Sequence, residues 1–150
     1  MNNVKSPISG KILDLNSVND EMFSKEVLGK GVALIPNDNK VYSPVEGIIS
    51  ATFETKHAIG ITTDKNMEIL IHIGIDTVKF GGKPFKQFVE KGQRVKQGDL
   101  LIEFDKELLK QGDADLTTMV VITNSNDYLE IIPTKEKRAT PLNDDLLTVI

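Results

Sequence analysis

Short runs of alternating apolar and polar residues make up most of this chain. Residues branched at Cβ recur at every second position within the runs, and Gly, Pro, Asn and Asp separate one run from the next. This pattern predicts an all-β protein, an antiparallel β-sandwich or barrel-like domain with a few short helices. We predict strands at residues 10–15, 31–36, 40–42, 47–53, 58–62, 67–75, 94–95, 99–104, 118–123 and 128–132.

Three segments carry helix signals instead of strand signals. One spans 20–28 and a second spans 84–91, with Pro84 in its first turn, and a glycine follows each. The third begins after Asp105, which is a good N-cap residue, and ends near Gly112. These helices are too short to form a core of their own, so we expect them to cover barrel mouths or sheet edges.

The length and composition fit a single domain, which we predict over residues 1–150. With 39% hydrophobic and 27% charged residues the chain can bury a core without disulfides, and it contains no cysteine. The net charge of −4 argues against nucleic acid as a partner and favours encounter with a basic protein surface. Because the longest apolar run is too short for a membrane span and residues 1–10 lack a signal-peptide pattern, we predict a cytoplasmic protein.

One short motif occurs twice in the chain. Residues 6–12 and 43–49 share the pattern S-P-x-x-G-x-I, in which a proline-initiated turn enters a strand through a glycine. Two similar turns and an internal duplication both explain this repeat at the level of sequence.

A tight hairpin entering an apolar strand is described by EKGQRVKQGDLLIEFD at residues 90–105. It is similar to the hairpins of biotinyl and lipoyl carrier domains. Those carriers present one lysine at a tight turn, between methionines or after aspartate, and no lysine here has that setting. The similarity therefore indicates a shared architecture and gives no support to a swinging-arm carrier.

The two histidines of the chain, His57 and His72, flank a predicted β-hairpin whose turn reads Thr-Asp-Lys-Asn at 63–66. If the turn centres on residues 64–65, paired residue numbers sum to 129, and the imidazoles lie directly opposite each other. Directly opposed residues have Cβ atoms roughly 4.5–5.5 Å apart. A three-residue loop would shift the sum to 130 and send the histidines to opposite faces.

Strand alternation divides the segment around His72 into an isoleucine face and a mixed face. The first holds Ile69, Ile71, Ile73 and Ile75, and the second holds Leu70, His72, Gly74 and Asp76. Because Gly74 has no side chain, it is expected to leave room beside the imidazole. On the partner strand Phe53, Thr55 and His57 are expected to share a face, which brings a hydroxyl close to the histidines.

Several kinds of chemistry use two adjacent imidazoles. They supply half of a tetrahedral zinc shell, so zinc would need Asp76, water or a partner's carboxylate as a further ligand. A nucleophile–base hydrolase is disfavoured because no Gly-x-Ser-x-Gly elbow is present. A histidine nucleophile fits better, since neutral imidazole attacks phosphorus and the second imidazole can stabilise the phosphoryl charge. Without a P-loop a nucleotide donor is disfavoured, and a purely structural histidine pair stays open as the alternative.

The residues around both histidines resemble a known family, the glucose-type enzyme IIA domain of the bacterial sugar phosphotransferase system. EILIHIGIDTV at 68–78 is similar to that family's phosphorylation-site signature, and FETKHA at 53–58 is similar to the segment with its second active-site histidine. The resemblance implies an antiparallel β-sandwich with a shallow apolar depression around the histidines. Further matches occur in the same order: PISG at 7–10, SPVEG at 43–47, GQRVKQGDLLIEFD at 92–105 and VVITN at 120–124.

This resemblance implies a phosphocarrier, a phosphotransferase component with a phosphohistidine intermediate. His72 would accept a phosphoryl group on Nε2 from the phosphohistidine of HPr and pass it to a cysteine of enzyme IIB, for sugar uptake and phosphorylation. His57 would stabilise the phosphoryl group, with Thr55 orienting it through a hydrogen bond. The backbone at Gly74 would hold the other ring nitrogen of His72.

Supporting roles implied by the resemblance fall on Asp20 and Asp76, which would flank the site and pair with basic residues of a partner. The chain departs from relatives at Lys30, where an aspartate is common.

No cofactor is required, and zinc at the histidine pair is the one metal candidate. A regulatory protein-binding module controlled by phosphorylation is the alternative function. We expect either a free-standing protein or one domain of a longer permease.

Overall fold

The computed structural model describes residues 2–150, so Met1, the first residue of the predicted domain, lies outside the described residues. Within that range the chain forms fourteen strands, two short α-helices and three single 3-10 turns. The helices are α1 (Glu21–Ser24) and α2 (Lys106–Gln111). The strands are β1 (Asn2–Lys5), β2 (Gly10–Asp14), β3 (Lys30–Pro36), β4 (Lys40–Tyr42), β5 (Gly47–Thr52), β6 (Ala58–Thr62), β7 (Glu68–Ile75), β8 (Phe85–Gln87), β9 (Arg94–Val95), β10 (Leu100–Phe104), β11 (Asp115–Ile122), β12 (Ile131–Pro133), β13 (Arg138–Ala139) and β14 (Asp145–Val149).

The strands form one large sheet and two small ones. The large sheet has the order β13-β2-β3-β11-β7-β6-β5-β9, and the small sheets have the orders β1-β14-β12 and β4-β10-β8. Every strand pair among the described residues is antiparallel. The predicted all-β antiparallel sandwich with a few short helices is therefore confirmed.

The two halves of the sandwich have the same topology. The strands of the two halves can be matched one to one: β1, β2, β3, β11, β12, β13 and β14 correspond in turn to β4, β5, β6, β7, β8, β9 and β10. This match converts the order of one small sheet into that of the other, and it gives the order of the large sheet read from its opposite end. The second set is continuous along the chain and is inserted between β3 and β11. The centre of this pseudo-twofold arrangement is the pairing of β7 with β11.

The repeated S-P-x-x-G-x-I motif lies at equivalent points of the two halves. The Lys5 N–H donates to the Pro44 carbonyl at 3.3 Å, and the Tyr42 N–H donates to the Pro7 carbonyl at 2.9 Å. In each motif the serine hydroxyl donates to the carbonyl two residues on, at 2.8 Å in one copy and 2.7 Å in the other. These reciprocal contacts favour an internal duplication over two unrelated turns.

The main hydrophobic core lies under the large sheet and contains Ile69, Ile71 and Ile73, as the alternation in β7 predicts. The assignment of Ile75 to the same face is wrong, because Ile75 joins a second apolar cluster on the outer face, with Phe23 and Met119. The alternation breaks at Gly74, whose φ is +78°. The β7–β11 register also shifts between Asp115 and Thr118.

Two of the three predicted helices exist. Asp105 caps α2 by accepting the Leu108 N–H at 3.1 Å, and α2 ends at Gln111 with Gly112 as its C-cap, near the predicted end. The helix predicted over 20–28 is only α1, which Asp20 caps by accepting the Met22 N–H at 2.9 Å.

The helix predicted over 84–91 is wrong, since Phe85–Gln87 is strand β8, paired with β10. Phe85 and Val89 are buried while Lys86 and Phe88 are exposed, so the segment follows strand alternation despite the proline in front of it. The strand predicted at 128–132 is also misplaced, because β12 begins at Ile131. Strands β1, β13 and β14 were not predicted from the sequence.

Candidate functional site

The β6–β7 hairpin has a different register from the predicted one. Ala58 faces His72, so paired residue numbers sum to 130, and the loop contains the three residues 64–66. The Thr63 N–H closes the loop on the Met67 carbonyl at 3.0 Å, and Asn66 adopts a left-handed φ of +63°. The prediction that His57 lies directly opposite His72 is therefore wrong.

The two imidazoles nevertheless lie against each other, with ring centroids 4.8 Å apart and ring planes at 80°. His57 precedes the first residue of β6 and follows a turn in which the Lys56 N–H donates to the Phe53 carbonyl at 2.9 Å. Lys56 has a φ of +56°, so strand alternation does not govern the direction of the next side chain. The Ile73 N–H donates to the His57 carbonyl at 2.7 Å and ties this backbone to β7.

His72 projects from β7 with its ring nitrogens in distinct roles. Its Nδ1 lies 2.9 Å from the Gly74 carbonyl oxygen. A carbonyl can only accept a hydrogen bond, so Nδ1 carries the proton and, in the neutral ring, Nε2 carries the lone pair. The Phe23 ring packs edge-on against the imidazole, with centroids 5.0 Å apart.

Burial keeps His72 neutral at physiological pH. Desolvation is the largest cause and His57 the second, and together they lower its pKa from 6.5 to about 4 against the opposing effects of the hydrogen bond to Gly74 and the charges of Asp20 and Asp76. A neutral imidazole with a free lone pair on Nε2 is a competent nucleophile.

His57 is buried, with only 8% of its surface exposed, whereas His72 is half-buried. Its Nδ1 lies 2.6 Å from the Thr55 hydroxyl, and its ring lies 5.7 Å from the Phe53 ring. Burial lowers the pKa of His57 as well. The predicted grouping of Phe53, Thr55 and His57 is present, although these residues belong to a turn and not to a strand.

The missing side chain of Gly74 does not leave room beside the imidazole, as predicted, but serves other contacts. A Cβ at this position would overlap Thr77 Cγ2 and lie 2.9 Å from the Asp115 carbonyl oxygen, so the missing side chain makes room for Thr77 and Asp115 and not for the imidazole. The buried Thr77 hydroxyl donates in turn to the Ile73 carbonyl. The glycine thus permits a bulge that aims its own carbonyl at His72.

The acidic residues named from the sequence lie at the edge of this site. Asp20 caps α1, the helix that carries Phe23, and Asp76 follows the end of β7 in a left-handed conformation with φ of +57°. Both carboxylates raise the pKa of His72. Lys30 begins β3, where its N–H donates to the Ser125 hydroxyl at 3.2 Å.

Sequence reasoning did not single out Phe23. The signal was its apolar side chain three residues after a helix-capping aspartate, a position that turns inward on a short surface helix. Among residues 2–150 no group of three or more His, Cys, Asp or Glu side chains is placed to hold a metal ion. No helix in that range combines the length and the apolar character needed to cross a bilayer.

This chain is a small antiparallel β-sandwich protein in which a buried and a half-buried imidazole are in contact on the outer face of the main sheet. The family model described as "phosphoenolpyruvate-dependent sugar phosphotransferase system, EIIA 1" matches residues 2–128. The chain therefore belongs to the EIIA family of this system. The predicted membership of the glucose-type enzyme IIA domains is confirmed.

Known relatives include one solved structure and parts of longer proteins. The glucose permease IIA from Mycoplasma capricolum superposes with a TM-score of 0.85 at 34% identity, covering 97% of this chain and 94% of that one. The beta-glucoside-specific EIIBCA component of Halalkalibacterium halodurans is 42% identical over 144 residues, which are 96% of this chain and 22% of the relative. The glucosamine-specific EIICBA component of Bacillus subtilis is 46% identical over 121 residues, 81% of this chain and 19% of the relative. The chain thus spans about a fifth of the length of the curated relatives it matches.

Proposed function

We propose that this chain is a phosphocarrier whose Nε2 of His72 accepts a phosphoryl group from phosphorylated HPr and passes it to a cysteine of an enzyme IIB domain. The observation that carries the proposal is the hydrogen bond from Nδ1 to the Gly74 carbonyl at 2.9 Å, together with the low pKa of about 4. These two features give a neutral ring whose lone pair lies on Nε2. Membership of the EIIA family supports the direction of transfer.

Each proposed transfer exchanges one bond at phosphorus for another. In the first step the lone pair of His72 Nε2 forms a P–N bond while the P–N bond of the donor phosphohistidine breaks, and the donor nitrogen keeps the electron pair. In the second step a cysteine thiolate forms a P–S bond and the electron pair returns to Nε2. Because this chain has no cysteine, the acceptor sulfur belongs to another domain or protein.

His57 and Thr55 stabilise the phosphoryl group in this proposal. When the Thr55 hydroxyl donates to Nδ1 across the 2.6 Å separation, the ring proton of His57 stays on Nε2. That N–H can then donate to a phosphoryl oxygen beside His72, since the two rings lie 4.8 Å apart. Such preorganised donors are the main contribution a protein makes to phosphoryl transfer.

Partners are proposed from charge and from the names of relatives. Asp20 and Asp76 would receive basic residues of the donor or acceptor, because both carboxylates lie close enough to the site to affect the pKa of His72. The relatives named EIIBCA and EIICBA components combine EIIA with EIIB and EIIC in one polypeptide, which supports an enzyme IIB acceptor. We further propose that residues 1–150 form one EIIA domain that works in the cytoplasm.

The test uses purified protein and radiolabelled phospho-HPr. His72→Gln should take up no label, whereas His57→Gln should take up label but deliver it poorly to an enzyme IIB cysteine. Circular dichroism and thermal unfolding of both variants serve as folding controls. Normal labelling of His72→Gln would overturn the assignment of the acceptor.

A regulatory role for the same surface has its own support. Phe53 packs against His57 and Val78 lies two residues after Asp76, and 42% and 52% of their surfaces are exposed, which suits an apolar partner surface. A phosphoryl group would add about two negative charges there and repel such a partner. Pull-downs with unphosphorylated and phosphorylated protein test this role, and equal recovery of the same proteins in both states would contradict it.

Zinc at His57 and His72 is a minor candidate that stays a prediction from the sequence. Both rings would have to supply a nitrogen, and further ligands would come from water or from a partner's carboxylate. Titration with zinc, followed through the ring nitrogen signals of both histidines, tests this candidate.

A further inference from the structure

The segment Gly74 to Gly82, which follows His72, contacts His72 at one end and the turn before His57 at the other. At its start the Gly74 carbonyl accepts from His72 Nδ1 at 2.9 Å. At its end Gly82 packs against the turn that carries Thr55, the residue whose hydroxyl lies 2.6 Å from His57 Nδ1. Between these points the Thr77 hydroxyl anchors the segment to the Ile73 carbonyl.

The contact at Gly82 is a close approach of two backbones. A Cβ at position 82 would lie 3.1 Å from the Glu54 carbonyl oxygen and 3.6 Å from Thr55 Cα. Gly82 also has a φ of +89°, in the region that favours glycine. A side chain here would therefore push on the backbone of residues 54–55 before it met any other part of the protein.

Apart from the contacts of Phe53 and Thr55 with His57, the turn at 53–56 is held by few interactions. Among the described residues it lies between β5 and β6, outside the strand ladder, and one backbone hydrogen bond closes it. Thr55 is only half-buried, so burial alone does not fix its side chain. The backbone of Gly82 therefore packs against the backbone of Thr55 and limits where it can lie.

We infer that Gly82 is a positioning residue that acts through Thr55, holding the Thr55 hydroxyl against Nδ1 of His57 and so setting the tautomer and orientation of that ring. The inference rests on the proposed function, because the orientation of His57 matters only if this ring serves a phosphoryl group on His72. It assigns to one segment, Gly74 to Gly82, the alignment of both imidazoles. The Gly74 carbonyl aligns His72 directly, and Gly82 aligns His57 through Thr55.

Neighbouring Gly81 provides a matched control. Its φ is +65°, and a Cβ at this position would have no atom within 4 Å. Both Gly81→Ala and Gly82→Ala place alanine at a positive φ, but only the second presses on Glu54 and Thr55. Any difference between the two variants at His57 reports the contact and not the strain.

The experiment measures the ring nitrogen shifts of His57 in full-length protein, together with label transfer from the phosphorylated protein to an enzyme IIB cysteine. In Gly82→Ala we expect altered His57 shifts and transfer slowed about three- to tenfold, the loss of one hydrogen bond, with uptake of label by His72 largely kept. Gly81→Ala should resemble the wild type in both measurements. Thr55→Ala should reproduce the Gly82→Ala result, and the double variant should be no slower than Thr55→Ala alone.

Three outcomes would overturn the inference: unchanged His57 shifts in Gly82→Ala, equal effects of Gly81→Ala and Gly82→Ala, or additive effects of Thr55→Ala and Gly82→Ala. If wild-type protein takes up no label, the proposed function fails. The nitrogen shifts of the same variants then still decide whether Gly82 positions His57.

Discussion

His57 and His72 lie edge to face, 4.8 Å apart, although the residue paired with His72 across the hairpin is Ala58 and not His57. The contact depends on the turn at 53–56, which delivers His57 to β6 from outside the strand ladder. Each ring raises the cost of protonating the other, since two adjacent cations would repel. The pair is therefore most stable when both rings are neutral.

The pKa of His72 should respond to its neighbours with opposite signs. In His57→Gln it should rise above about 4 but stay below 6.5, because burial remains the largest cause of the shift. In Asp76→Asn it should fall further, since the carboxylate of Asp76 raises it. Titration of the His72 ring followed by NMR measures both changes. A fall in His57→Gln or a rise in Asp76→Asn would contradict this electrostatic account.

Stability should fall with acid through the titration of His72. The folded pKa of about 4 lies below the ordinary 6.5, so the unfolded chain binds the extra proton between these values. The stabilisation is present above pH 6.5 and is lost as pH falls through 4, by about 3 kcal/mol in total. Urea unfolding from pH 7 to pH 4 measures the loss. His72→Gln should show a shallower decline, and an equal decline in both proteins would assign the effect to other groups.

Replacing Gly74 should damage both the fold and the site. Gly74→Ala forces a side chain against Thr77 and the Asp115 carbonyl, at a φ of +78°, and should lower the free energy of unfolding by about 2–5 kcal/mol. Gly81→Ala, where a Cβ meets open space, should cost only about 1–2 kcal/mol. Denaturant unfolding compares the two variants, and equal losses would show that overlap with Thr77 is relieved without cost.

The three-residue hairpin loop makes a specific demand at Asn66. With φ at +63°, Asn66→Gly should keep or slightly increase stability, whereas Asn66→Val should lower it by about 1–2 kcal/mol. Lys65→Val, at the exposed centre of the loop, is the control and should change little. The two valine variants are compared by thermal unfolding. Similar melting temperatures for both would argue against the left-handed residue at 66 and hence against the observed register.

Most strands of the large sheet followed from the chain's own alternation. The isoleucines of β7 predicted a buried face because side chains on a strand project alternately to its two sides. The segment at 84–91 shows the limit of local signals. Its proline and following glycine indicate a helix, but the burial of Phe85 and Val89 and the pairing with β10 outweigh that preference.

The candidate site shows the same contrast between local sequence signals and tertiary contacts. Residue identity and order already indicate which side chains could meet, since the only two histidines flank one hairpin and the residues around them match the EIIA family. How these side chains meet depends on features of the folded chain: a three-residue loop, a turn before β6 and a bulge at Gly74 that orients His72. Alternation predicts side-chain direction only for residues inside a regular strand ladder. His57 and Gly74 lie where the ladder starts or breaks, so contacts from elsewhere in the chain set their geometry.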